Sequence, residues 1–241
     1  MTLVADTEAL LHDNPDAAAL LGVPPQRFEG FADLAAALLA AFAGVPGDVV
    51  RRAYINTPAL VEVSTHDITE TARRNFEPGG AVATLLFSRG IHAVMAHRVA
   101  HQLWLDDDHT LALAVKSAFG RAFSTDIHPG AQIGPGFWLD HGLGFVAGET
   151  SVIGQDVSIW HNVTLGSTLA DSGTRRHPTI QDGAVIGAGA TLLGNITVGA
   201  GANVAAGAIV VQDVPAQTVV VGAKARLAGR AKVSFQRPEG H

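Results

Sequence analysis

The feature that most constrains this chain is a six-residue period. From Thr125 the sequence reads TDIHPG, AQIGPG, FWLDHG, LGFVAG, ETSVIG, QDVSIW, HNVTLG, breaks for STLADSGTRRH, and resumes as PTIQDG, AVIGAG, ATLLGN, ITVGAG, ANVAAG, AIVVQD. The third place holds Ile127, Ile133, Leu139, Phe145, Val157, Val163, Ile180, Ile186, Leu192, Val198, Val204 and Val210, and only Ser151 departs. The sixth place is mostly Gly, as expected where a turn takes positive φ. A period of six with β-branched residues in register is not the 3.6 of a helix. Thirteen such blocks specify a parallel β-helix. Each block makes a short strand and a turn, and three close a triangular coil. The third-place residues stack inward, about 4.8 Å apart from coil to coil.

The first half follows different rules. Of 27 glycines, 8 lie in residues 1–120, and Ala and Leu dominate there, punctuated by Pro24-Pro25, Pro46 and Pro58. The clearest helix is predicted from Val82 to Trp104, with Ile91, Met95, Val99 and Leu103 on one face. The expected class is α+β: a helical assembly domain over 1–124, a β-helix prism over 125–230 and a tail over 231–241. Residues 1–66 carry no interpretable motif.

Composition narrows the functional classes. A net charge of −6 argues against a nucleic-acid or anionic-membrane partner. With no cysteine, disulfides, thiolate metal sites and a cysteine nucleophile are excluded. The opening residues lack the look of a secretory leader. The most apolar segment, Phe31 to Val45, is too short to span a bilayer and carries Asp33. A cytoplasmic protein is expected.

Fold alone does not assign chemistry, so the residues that break the repeat matter most. They fall at Asp126-Ile-His128-Pro129, at Leu139-Asp140-His141-Gly142, and in the interruption Ser167 to His177, which ends Arg175-Arg176-His177. An imidazole suits proton abstraction from a hydroxyl at neutral pH, and a nearby carboxylate would orient it. Asp126 and His141 are 15 residues apart. Hexad counting places them on neighbouring coils, half a face out of line, so a contact is permitted and a turn-capping His141 is the competing reading. The interruption is a favoured place for a binding element, where a guanidinium could grip a carboxylate.

Together these stretches resemble the serine O-acetyltransferase family of hexapeptide-repeat acyltransferases. The likeness rests on SRGIHAVMAHRVAHQLW, STDIHPGAQIG, LDHGLGFVAGETSVIGQDVSI, VTLGST, RHPTIQDGAVIGAGATLLGNITVGAGA and VVVGAKARLAG, between about Asp67 and Arg230. The resemblance implies a left-handed coil and acetyl transfer from acetyl-CoA to the hydroxyl of L-serine, giving O-acetylserine for cysteine synthesis. It implies His141 as general base, Asp126 as its orienting carboxylate, and Asp140, Arg176 and His177 as contacts to the amino acid. Gly166, Ala188 and Ala206 would line the CoA groove. It also implies a homotrimer or a dimer of trimers with sites between neighbouring prisms. Acetyl-CoA is then a co-substrate, and no metal is expected.

The chain departs from that pattern in places. Where the family carries Arg-Asp-Pro, Asn75-Phe76 stands here, with Glu77-Pro78 two residues on. Either the acceptor is another hydroxy compound or Glu77 replaces the lost carboxylate. The usual GVPA is Gly222-Ala223-Lys224-Ala225, where Lys224 could meet a CoA phosphate. The tail SFQRPEGH lacks the terminal isoleucine with which family members dock into cysteine synthase, so a stable complex is not expected.

Two other classes compete. A zinc-dependent carbonic anhydrase on the same prism needs converging histidines, typically including a pair five apart. His128, His141, His161 and His177 contain no such pair. His97 and His101 form an H-x-x-x-H pair on the long helix, but Arg98 stands where the hydrolytic motif has glutamate. A non-catalytic scaffold predicts that His141 matters only to stability.

Overall fold

The computed structural model describes residues 2–168 and 173–230. Part of the 167–177 interruption and the whole 231–241 tail, with the cysteine synthase expectation, lie outside the described residues. The chain begins with eight helices: α1 (Leu3–Asp13), α2 (Pro15–Leu21), α3 (Phe31–Ala43), α4 (Asp48–Asn56), α5 (Ala59–Arg74), α6 (Gly80–Phe87), α7 (Arg89–Leu105) and α8 (His109–Phe123). Their ends follow local chemistry. Pro15 opens α2, where a missing N–H costs nothing, and the Asp108 carboxylate accepts from the Leu111 N–H to cap α8.

The single helix predicted over 82–104 is two. Ser88 is extended (φ −87°, ψ 108°) and separates α6 from α7. The break turns α7 into the centre of the molecule, where it is buried without interruption from Gly90 to Ala100. Its first turn runs against the prism. A Cβ on Gly90 would lie 1.7 Å from the Leu139 carbonyl oxygen, so only glycine permits this approach.

From Asp126 the strands are short and all paired in parallel. One face holds β1 (Asp126–Ile127), β4 (Val146–Ala147), β7 (Thr164–Gly166), β10 (Thr191–Leu193) and β13 (Ile209–Val210). A second holds β2 (Gln132–Ile133), β5 (Val152–Ile153), β8 (Thr179–Ile180) and β11 (Thr197–Val198). The third holds β3 (Trp138–Leu139), β6 (Ser158–Ile159), β9 (Val185–Ile186), β12 (Asn203–Val204) and β14 (Val219–Val220). From β1 to β13 successive strands visit the three faces in turn, and a single bridge of Val214 to Val198 takes the second face before β14, which is the triangular β-helix the period requires. The all-parallel pairing is consistent with the left-handed coil that the resemblance implies.

The register differs from a constant six. Leu139 pairs with Ile159, and Ile127 pairs with Ala147, 20 residues on rather than 18. Two extra residues enter at the corner that carries His141. From there to the interruption the paired inward residues are Ala147, Ile153, Ile159 and Leu165, while Phe145, Ser151, Val157 and Val163 occupy the buried place two residues earlier. Ser151 is therefore no lapse. It sits where Ala131, Ala184, Ala190, Ala202 and Ala208 sit elsewhere, a place that takes small side chains as well as large ones.

A buried ion pair joins helices to prism. Arg98 on α7 meets Asp67 on α5 (Nε to Oδ2, 3.0 Å) and donates to the carbonyls of Ile133 and Gly134, while Asp67 accepts from the Phe137 N–H. Four donated bonds from the guanidinium and the Phe137 N–H to the carboxylate thus offset much of the water lost on burial. Among the described residues no helix is long and apolar enough to cross a membrane.

Candidate functional site

The site residues collect along two edges of one face, the sheet β1-β4-β7-β10-β13. The edge by which the chain enters that face carries the corner Asp140–Gly144. There His141 takes φ +60° between Asp140 and Gly142 (φ +75°), a left-handed step that the two extra residues make room for. The corner is braced from below, since Gly142 is buried against Gly90 of α7. His141 itself is 64% exposed, and its Nε2 lies 3.3 Å from Oδ2 of Asp140. That is within ion-pair distance.

One coil on, His161 occupies the next corner of the same edge, its ring centroid 5.5 Å from that of His141. The edge continues in order. The Asn162 N–H donates to the Leu143 carbonyl, the Gly189 N–H to His161, and the Gly207 N–H to Ala188. Gly222 then lies beside Gly207 and Ala208. His141, Ala188, Ala206 and the segment leading to Lys224 therefore form one column, with small residues below the imidazole.

The opposite edge of the face carries Arg176 and His177. Leu165 pairs with Leu192, 27 residues on, so the interruption lengthens one coil by nine and returns the chain beside Gly148-Glu149-Thr150. Arg176 is bound to Glu149 at 2.6 Å, which holds the Glu149 carboxyl below the usual range. The Thr150 hydroxyl accepts from the backbone N–H groups of Arg176 and His177 and lies 2.9 Å from Nδ1 of His177. That nitrogen also accepts from the Thr150 N–H, so in the neutral ring the proton sits on Nε2. The ring covers Gly148, where a Cβ would come within 1.9 Å of Nε2. Gly166 ends β7 on this same edge and not in the column of Ala188 and Ala206.

Asp126 begins β1 on the His141 edge, but its carboxylate is held by Lys116 of α8 at 2.5 Å. Among the described residues no hydrogen bond or ion pair joins it to His141. The residue above Asp126 is Val146, and His141 lies five residues before it, at the corner. Asn75 and Glu77 follow α5, and the Asn75 amide donates to Glu77 at 3.4 Å. Arg74 ties this loop to the start of β6, through the Val157 carbonyl, the Ser158 hydroxyl and Asp156. The loop therefore stands by the face whose strand β3 runs into Asp140 and His141. His97 and His101 stack at 5.7 Å; burial drives His97 well below its usual pKa, and His101 bonds the Pro129 carbonyl.

Sequence reading gave no role to Glu149, Thr150 or Lys116, and weighed His161 only as a zinc ligand of a carbonic anhydrase. For Glu149 and Thr150 the signal was present, because GET faces RHP once the interruption is counted as nine extra residues. For His161 it lay in the 20-residue coil. Nothing in the sequence pointed to Lys116.

No protein-family model matches the chain. Among curated proteins it is 53% identical over 145 residues to serine acetyltransferase 2 of Arabidopsis thaliana, covering 60% of this chain and 45% of that protein. It is 43% identical over 183 residues to the serine acetyltransferase of Escherichia coli K12, covering 76% of this chain and 67% of that protein. The chain thus spans less than half of the plant relative's length. Of solved structures, a Neisseria gonorrhoeae serine acetyltransferase in complex with serine aligns with TM-score 0.84 and 36% identity over 94% of this chain and 95% of that one. A Brucella abortus serine acetyltransferase in complex with coenzyme A aligns with TM-score 0.83 and 34% identity over 96% and 95%.

Proposed function

The chain belongs to the serine acetyltransferase family, and we propose that it moves acetyl from acetyl-CoA to the hydroxyl of L-serine, with His141 as general base. The observation that carries this reading is the column on one edge: an exposed imidazole beside the Asp140 carboxylate, above the small residues Ala188 and Ala206. A pantetheine arm laid along that column would bring its thioester to His141. The serine hydroxyl loses its proton to the imidazole as it attacks the thioester carbonyl. The tetrahedral adduct then expels the CoA thiolate, which takes the proton back from the imidazolium. Asp140 stabilises the cation between these steps. With no cysteine in the chain and no serine elbow in its sequence, the reading is a sequential one, in which both substrates bind before chemistry.

The acceptor's other groups need partners that one chain does not bring together. Arg176 and His177 stand a face-width away from His141, so a second copy must supply them across a prism-prism contact, as in a homotrimer or a dimer of trimers. Arg176 would bind the serine carboxylate by exchanging it for Glu149. Glu77 would receive the ammonium group in place of the family's aspartate. Lys224 would meet a CoA phosphate at the far end of the column, and Gly166 would serve the groove from the neighbouring chain. Asp126 would orient His141 once its bridge to Lys116 opens. We place the enzyme in the cytoplasm.

The test is acetyl-CoA-dependent thiol release with a panel of hydroxy amino acids. L-serine should be turned over, and His141→Ala should lose about 10²–10⁴-fold. An inactive wild type, or an undiminished variant, defeats the assignment.

A further inference from the structure

The corner that carries His141 has a second property. Asp140, His141 and His161 bring one ligand-type atom each within 4.8 Å of the others, and no other group of three meets that spacing among the described residues. We propose that these three side chains form a binding site for a divalent metal ion of the zinc class, whose occupancy blocks the imidazole.

The geometry favours zinc over a hard cation. Two imidazoles and one carboxylate are the donors zinc, cobalt and nickel take, whereas magnesium and calcium prefer oxygen throughout. Ligands at about 2.0–2.1 Å in a tetrahedron stand about 3.3 Å apart. The separation of Asp140 Oδ2 from His141 Nε2 is already 3.3 Å. The third donor, within 4.8 Å, needs a movement of about an ångström, and His141 is exposed enough to make it. His161 supplies an independent sign: its Nδ1 is buried with no hydrogen-bond partner. An imidazole nitrogen sealed from water without a partner is costly, and an ion coordinated at Nδ1 itself would occupy the lone pair that burial leaves unmatched. The two corners are joined by the Asn162 N–H bond to the Leu143 carbonyl at 2.7 Å. The exposed His141 side chain leaves the ion a route to enter and leave.

The site escapes a sequence search because its histidines are 20 residues apart and meet only through the longer coil. Its consequence rests on the reading of His141 as base: a metal takes the lone pair that would accept the serine proton, so occupancy inhibits.

The experiment uses tag-free full-length protein titrated with Co²⁺, read by visible absorption, followed by displacement with Zn²⁺. One Co²⁺ per chain with the strong bands of a four- or five-coordinate centre is expected. His161→Gln and Asp140→Asn should each weaken binding at least about tenfold, while circular dichroism stays unchanged. In parallel, Zn²⁺ should inhibit thiol release reversibly on chelation, with at least tenfold more Zn²⁺ needed for His161→Gln. Co²⁺ binding that is absent, or equal in wild type and both variants, overturns the proposal. Cobalt bands in a protein that transfers no acetyl group would support the site and sink the catalytic reading instead. An active enzyme without the bands does the reverse.

Discussion

Thr150 and His177, 27 residues apart in the chain, are locked together by a backbone amide and a hydroxyl that both meet the same ring nitrogen, at 3.2 and 2.9 Å. The same hydroxyl accepts from two backbone N–H groups of the returning loop. Thr150→Val keeps the shape and removes these contacts, leaving two backbone donors without an acceptor. We expect a loss of about 1–3 kcal/mol in stability. The KM for L-serine should rise at least about tenfold, because His177 and Arg176 lose their placement, while the KM for acetyl-CoA moves little. Steady-state kinetics and urea unfolding check both. Unchanged serine kinetics would separate this edge from the acceptor.

His141 and His177 occupy different edges of one face, and the site proposed above takes the His141 edge of one chain and the His177 edge of another. His141→Ala and His177→Ala chains, each impaired alone, should regain activity when co-assembled. With random mixing, about a quarter of the interfaces pair two unaltered edges. Activity in the mixture no greater than in the separate proteins would place the whole site within one chain.

Lys116 and Asp126 form a partly exposed bridge whose loss should cost less than about 1 kcal/mol. Asp126→Asn and Lys116→Met should therefore melt near wild type. If Asp126 orients His141, only the first should lower turnover, by about tenfold or more, with Lys116→Met within threefold. Equal effects of the two would make Asp126 a structural partner of α8.

His92, buried between Phe42 and Phe123, is pushed down from 6.5 to about 4 by burial, against the hydrogen bond to the Leu85 carbonyl. The unfolded chain binds this proton at higher pH than the folded one. Stability is therefore complete above pH 6.5 and falls as pH drops toward 4, by up to ~3 kcal/mol from this group. His92→Gln cannot take up the proton, so the stability gap between it and wild type should narrow from pH 7 to 4.5. A constant gap in urea unfolding would assign acid lability elsewhere.

Much of the architecture was legible because it is written at short range. A six-residue period with one apolar residue in register can satisfy its backbone and bury its side chains only by coiling into stacked parallel strands, whatever lies before it. The motifs around Asp126, Asp140, His141, Arg176 and His177 were visible for the opposite reason, as polar residues the coil does not need. The split at Ser88 was not legible, since an extended residue between two helical runs is chosen by the close approach of Gly90 to Leu139, a contact 49 residues long.

The sequence by itself determined a helical half, a triangular prism and the set of residues available for chemistry, because these depend on composition and periodicity along the chain. Only the tertiary structure decided the register across the His141 corner, the column from His141 to Ala206, the joining of GET to RHP, and the meeting of His141 with His161. Each follows from how many residues a coil contains, and two insertions change that number. A count along the chain locates neighbours within a coil, but contacts between coils are set by the strand pairing that the folded backbone selects.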